Sequence, residues 1–298
     1  MIRALILLIA ATLLLSALAA PWVYSALLLI DPTMPWPFSR VYDRIAMVAA
    51  AYGLWTLRRE FSLEPLQGYF RPRLFQVKAT RWASGFLCAF VSSAVLLPLL
   101  VSSGKLNWSG QAWSYYAEKF LFKTLPAAVA VSLLEECVFR GIIFGGLRRR
   151  FSVAAAAGIS SLVYASVHFI GPEKQFIYDH FDPWAGLSYL AKIISRFADP
   201  AVYTGVFGLL LVGLVLCYAF HRSRSLFLCI GLHTGWAAGL KMVKHVAVIS
   251  PTVAVEAELG RRYFLLADPL AWCSIVMVFG AVWYAAEQRG WFREDERE

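Results

Sequence analysis

Long apolar runs separated by short polar breaks dominate the chain, at roughly residues 4–30, 45–57, 82–103, 120–147, 153–170, 201–220, 226–246 and 269–286. A bilayer core about 30 Å thick is crossed by about 20 apolar residues of α-helix. The pattern therefore predicts an all-α polytopic membrane protein with about eight transmembrane helices, the second being the shortest. The first run follows Arg3 and holds Ala17-Leu18-Ala19, which resembles a signal cleavage site. Its apolar character continues through Trp22, Val23 and Tyr24 to Ile30, so an uncleaved span is expected.

The polar breaks have their own signatures. Asp31-Pro32-Thr33-Met34-Pro35-Trp36-Pro37 is too rich in proline for a helix and reads as an outer loop with an aromatic anchor. The segment Arg58–Arg81 mixes Pro65, Gly68 and Pro72 with Phe61, Leu63, Tyr69, Phe70 and Phe75, which suits an interfacial linker helix on the cytoplasmic side. The stretch Gly171–Pro200, with Trp184, Tyr189 and Phe197, is compatible with lying along the outer surface or dipping into the membrane. No internal repeat or low-complexity tract interrupts the chain. A single membrane domain over 1–298 is expected: N-terminal spans and linker to residue 118, a core from 119 to 247, and an outer loop, last span and tail from 248 to 298.

Composition agrees. At 59% hydrophobic and 16% charged residues the chain is too apolar to bury its surface in one soluble core. The net charge of +9 comes largely from alternate loops: Arg58, Arg59, Arg71, Arg73, Lys78 and Arg81; Arg148 to Arg150; Arg222 and Arg224; and Arg289, Arg293 and Arg297. With eight spans these fall on one side, so the positive-inside rule puts both termini in the cytoplasm and the protein in the inner membrane. The charge is then a topology and lipid-surface signal, and no basic patch with interleaved aromatics points to nucleic acid. Cys88, Cys137, Cys217, Cys229 and Cys273 stand singly in apolar segments, without the paired spacing of disulfides or thiolate metal sites.

Against this background, ionisable groups at membrane depth stand out, because they are costly there and mark function. Glu135, Glu136 and Arg140 lie in the fourth run, His168 in the fifth and His233 in the seventh. On a helix Glu136 and Arg140, four residues apart, share a face and can pair, whereas Glu135 is rotated by about 100°. A carboxylate and two imidazoles gathered in a dry cavity can deprotonate water and stabilise an oxyanion, or hold a metal that does so. Gly231, Gly235 and Gly239 form a small-residue ridge that permits close helix contact and leaves His233 to face elsewhere; Gly141 and Gly145 suggest a second such patch.

These residues resemble the CAAX protease and bacteriocin-processing group of intramembrane endopeptidases. That family carries Glu-Glu-x-x-x-Arg, then aromatic-x-x-x-His, then His-x-x-x-Asn/Asp on separate membrane helices. Here the first motif is complete at Glu135, Glu136 and Arg140, and the second is met by Tyr164 and His168. The third has His233 but Ala237 in place of the amide or carboxylate. The resemblance covers roughly 120–244. It implies cleavage of a peptide bond in a membrane-associated protein or peptide, with Glu135 activating water and His168 as its partner. Glu136 paired with Arg140 would support the site, and His233 would stabilise the oxyanion. Trp236 or Thr234 would be the substitute donors for the missing group at 237. No cofactor is favoured; a zinc ion on Glu135, His168 and His233 is the metal-dependent alternative. A non-catalytic binding or immunity module is the rival reading, and Ala237 is the residue that favours it.

Overall fold

The computed structural model describes residues 1–61, 75–170, 176–250 and 264–287, and nearly all of them are helical. In chain order the main helices are α1 (Ile2–Ile30), α2 (Phe38–Thr56), α3 (Phe75–Ser102), α4 (residues 113–147), α5 (Val153–Phe169), α6 (Ala185–Ser195), α7 (Pro200–Ser223), α8 (Leu226–Val246) and α9 (Pro269–Glu287). The strands β1 (Leu106–Trp108) and β2 (Ala247–Ile249) pair antiparallel, Leu106 opposite Ile249 and Trp108 opposite Ala247. The protein is a multi-pass membrane protein of all-α class.

Five helices among the described residues are long and apolar enough to cross a membrane: Ile2–Ile30, Val77–Ser102, Val202–Ser223, Leu226–Val246 and Pro269–Glu287. Eight spans, as expected from sequence, are therefore not confirmed; three of the expected runs fall on α2, α4 and α5. Helix α2 begins among Arg40, Asp43 and Arg44. Helix α5 stops at 17 residues. Helix α4 changes its hydrogen-bonding register twice, with π-helical Lys119–Thr124 before Leu125–Glu136 and π-helical Cys137–Phe144 after it. Pro126 has no N–H for the ladder, and the wider turn next to it absorbs the lost bond. The linker expected over 58–81 and the tail arginines 289, 293 and 297 lie largely or wholly outside the described residues.

The chain forms two compact units, residues 1–63 with 166–202, and residues 64–165 with 203–298. In the first, α1 and α2 form a hairpin whose connection is fastened where Asp31 Oδ1 accepts from the Thr33 backbone N–H at 2.9 Å and its hydroxyl at 2.7 Å. Small Ala17 and Ala20 let α6 approach, and Gly186 lies so near the Ala17 backbone that no side chain fits between them. Around that contact Tyr24, Phe38, Tyr42, Tyr189 and Ile193 are buried together. The phenols turn their polar ends to backbone: Tyr42 donates to the Leu13 carbonyl at 3.0 Å and Tyr24 to that of Trp36 at 3.1 Å. Of the segment 171–200, residues 185–195 form a helix packed on α1 with Tyr189 fully buried.

In the second unit α8 lies along α3, and the glycine ridge is the reason. A Cβ on Gly235 would come within 2.5 Å of the Phe86 carbonyl oxygen and 2.8 Å of the Phe90 nitrogen, while one on Gly85 of α3 would meet the Leu228 carbonyl at 2.6 Å. The two backbones touch directly, as small residues allow in lipid. Gly145 has no such partner among the described residues: a Cβ there would meet its own helix's Arg140 carbonyl at 3.5 Å, an ordinary contact. Where α3 and α8 end, β1 and β2 join them, and Lys105 pairs with buried Asp268 at 2.5 Å just before α9. Replacing Gly231 by Val would drive the new side chain into the Trp82 carbonyl and the Phe86 nitrogen 3.0 Å away. The expected outcome is a loss of about 1–3 kcal/mol, typical of overpacking, read as a lowered melting temperature in detergent; an unchanged melt would show that the ridge is not a close contact.

Candidate active site

The second unit brings together charged groups from α4 and α8. Glu136 and Arg140 are fully buried, and Arg140 Nη1 donates to Glu136 Oε1 at 2.9 Å. This is the i,i+4 pair the sequence suggests, kept although the helix changes to π-helical hydrogen bonding immediately after Glu136. A buried charge pair is retained only where further contacts hold it. Here Arg140 lies over the Tyr164 ring, 4.6 Å from its centroid, and Nη2 reaches the Gly213 carbonyl at 3.5 Å. Gly213 itself packs against Ser161 of α5 so closely that a Cβ would stand 2.7 Å from the Ser161 Cβ.

His233, almost fully buried, bridges the two glutamates. Its Nδ1 is 2.7 Å from Glu136 Oε1, and its Nε2 is 3.8 Å from Glu135 Oε2. Glu136 Oε1 already accepts from Arg140, so the short contact assigns a proton to Nδ1, donated to the carboxylate. That leaves Nε2 turned toward Glu135. The Tyr164 ring stands edge-on to the imidazole with centroids 6.1 Å apart, and Phe139 meets Tyr164 edge-on at 5.1 Å. The imidazole is thus fixed in plane and position by one carboxylate and one phenol ring.

The two neighbouring glutamates differ in access. Glu136 is sealed, whereas the Glu135 side chain keeps 27% of its surface exposed. Sequence reasoning separated them by their helical angle and gave the bridging of both to no residue; only the approach of α8 reveals that one histidine addresses both. Among the described residues the buried Thr234 hydroxyl and Trp236 indole N–H, both beside His233 on α8, have no hydrogen-bond partner. Ser132, one turn before Glu136, has a buried hydroxyl in the same condition, and nothing in the sequence pattern singled it out. Phe139 and Ser160 were likewise missed; the Ser160 hydroxyl donates to the Phe139 carbonyl at 3.2 Å and ties α5 to the π-helical turn.

His168 stands near the end of α5, in the part of that helix belonging to the first unit, and is half-buried. Tyr164, one turn earlier, belongs to the second unit and to the cluster around Arg140. No group of three or more His, Cys, Asp or Glu side chains placed to hold a metal ion occurs among the described residues. The cysteines are free thiols; Cys217 and Cys229 are buried, and Cys229 donates to the Leu216 carbonyl at 3.4 Å.

Residues 117–239 match a family model described as type II CAAX prenyl endopeptidase Rce1-like. That range begins in the first turns of α4 and ends on the last glycine of the α8 ridge, so it encloses every residue of the cluster. No curated protein and no solved structure matched the chain.

Proposed function

We propose, from a chain whose residues 117–239 carry the Rce1-like type II CAAX prenyl endopeptidase region, that this protein is an intramembrane endopeptidase cleaving a membrane-associated protein or peptide. The single observation that supports it best is the His233 bridge, with one carboxylate sealed and the other partly exposed while its Oε2 is buried toward the imidazole. Purely structural buried ion pairs need no such asymmetry.

In this reading Glu135 is the general base. Its separation of 3.8 Å from His233 Nε2 is too long for a direct hydrogen bond and lets both groups address one water molecule. Glu135 takes a proton from that water as the oxygen attacks the scissile carbonyl, and later passes it to the leaving amine. Glu136 holds His233 by Nδ1, and Arg140 balances the Glu136 charge, so the imidazole is oriented without a net buried anion. His233 in its doubly protonated form, with Nδ1–H held by Glu136 and Nε2–H free to donate, Trp236 Nε1 and the Thr234 hydroxyl are the donors assigned to the developing oxyanion. The two unpartnered donors compensate for Ala237, which offers none. His168, one turn after Tyr164 on α5, is kept as the histidine that the family pattern assigns to the reaction. No step is routed through zinc, the alternative, which would activate the attacking water. The inner membrane and cytoplasmic termini are the location this reading assigns.

The test is a comparison of membrane-protein termini, by mass spectrometry, between cells making the wild-type chain and cells making an inactive variant at equal abundance. New or missing termini would identify the substrate; identical termini with an unchanged phenotype would favour a binding module. His233→Asn is a second probe. A general acid-base or oxyanion group contributes about 100-fold or more, and a loss of that order in turnover is expected with substrate affinity little altered. Turnover within about threefold of wild type would remove His233 from the reaction.

A further inference from the structure

The first unit carries a groove of about 700 Å³ remote in sequence from the catalytic cluster, lined by Val23 and Leu27 of α1, Trp36 of the connection, and Arg40, Val41, Arg44, Ile45, Val48, Ala49 and Tyr52 of α2. Its walls are apolar except at one end. There Arg40 and Arg44, four residues apart on α2, share a helical face and are exposed. Two guanidiniums so placed repel each other. Asp43, between them in sequence, is one carboxylate against two cations, leaving the end net positive. The Arg44 guanidinium donates to the Met47 thioether at 3.2 Å, a weak acceptor for so strong a donor.

We infer that this groove binds an anionic phospholipid, its phosphate held by Arg40 and Arg44 and one acyl chain laid along Val41, Ile45, Val48 and Ala49 toward Tyr52. Charge complementarity chooses the occupant: two guanidiniums at one end of an apolar groove match phosphate oxygens, which arginine binds bidentately, with an acyl chain behind them. Length agrees. At about 1.5 Å per residue the α2 face from Arg40 to Tyr52 runs about 18 Å, close to half of the roughly 30 Å hydrocarbon core and so to one leaflet. Trp36, 46% exposed, lies at the arginine end and is of the residue type that favours the headgroup level. The groove volume lies within the range of sites that enclose a small ligand.

The test uses the full-length protein exchanged into vesicles of equal phosphatidylcholine and phosphatidylglycerol, then released for native mass spectrometry. Wild type is expected to retain one phosphatidylglycerol in preference to phosphatidylcholine, and Arg40→Gln/Arg44→Gln to lose at least tenfold of that retention. Ala49→Phe, which fills the groove without touching the arginines, gives a second probe and is expected to lose the lipid as well. Melting of each protein with and without phosphatidylglycerol separates unfolding from loss of binding: the lipid should raise the wild-type melting temperature and leave that of either folded variant unmoved. Equal retention by the double variant, no preference between the two lipids, or a second copy of the chain on this face instead of lipid would each overturn the inference.

Discussion

Glu135→Gln is expected to abolish cleavage while leaving the protein folded. The substitution keeps size and shape and removes only the group that accepts a proton, so its cost falls on the chemistry. A positioned general base contributes about 100- to 10,000-fold, and turnover should drop by about a thousandfold or more in a reconstituted assay. Stability should hardly change. The Glu135 side chain is partly exposed, with His233 Nε2 3.8 Å from its Oε2, and the amide keeps the shape and the hydrogen-bonding capacity of the carboxyl group. Circular dichroism and thermal melts of the purified variant check the fold. Retained cleavage would refute the endopeptidase assignment, and a binding module would tolerate the change, so one variant separates the two readings.

Arg140→Met is expected to have the opposite profile, with stability lost first. Glu136 would remain fully buried with its strong cation gone. Breaking a buried pair by removing one partner costs about 3–5 kcal/mol, because an uncompensated charge is left behind. Loss of activity would follow, since Glu136 also orients His233 through the 2.7 Å contact to Nδ1. The double variant Glu136→Gln/Arg140→Met leaves no stranded charge and should recover much of the stability but little of the activity. The pattern distinguishes positioning from mere structure: a purely structural pair would return activity along with stability. A melting temperature for Arg140→Met equal to wild type would show that the ion pair does not hold α4.

The sequence by itself determined the all-α membrane class, because mean hydropathy and long apolar runs are sums over composition that any fold must satisfy. It also determined the pairing of Glu136 with Arg140 and the glycine ridge of α8. Both follow from helical spacing alone, four residues to a turn-mate, and both appear at the expected places. Tertiary structure decided the rest. That α4 turns π-helical after Glu136 depends on which backbone bonds its neighbours satisfy, and the apolar run conceals it. The bridging of Glu135 and Glu136 by His233 joins residues about a hundred positions apart, and no periodicity encodes a contact of that range. The same limit hid the placement of α6 against α1, where Gly186 and Ala17 meet, and left the character of residues 185–195 open in the sequence. Periodicity reports the face a helix presents; which side chain arrives there is fixed by how the helices pack.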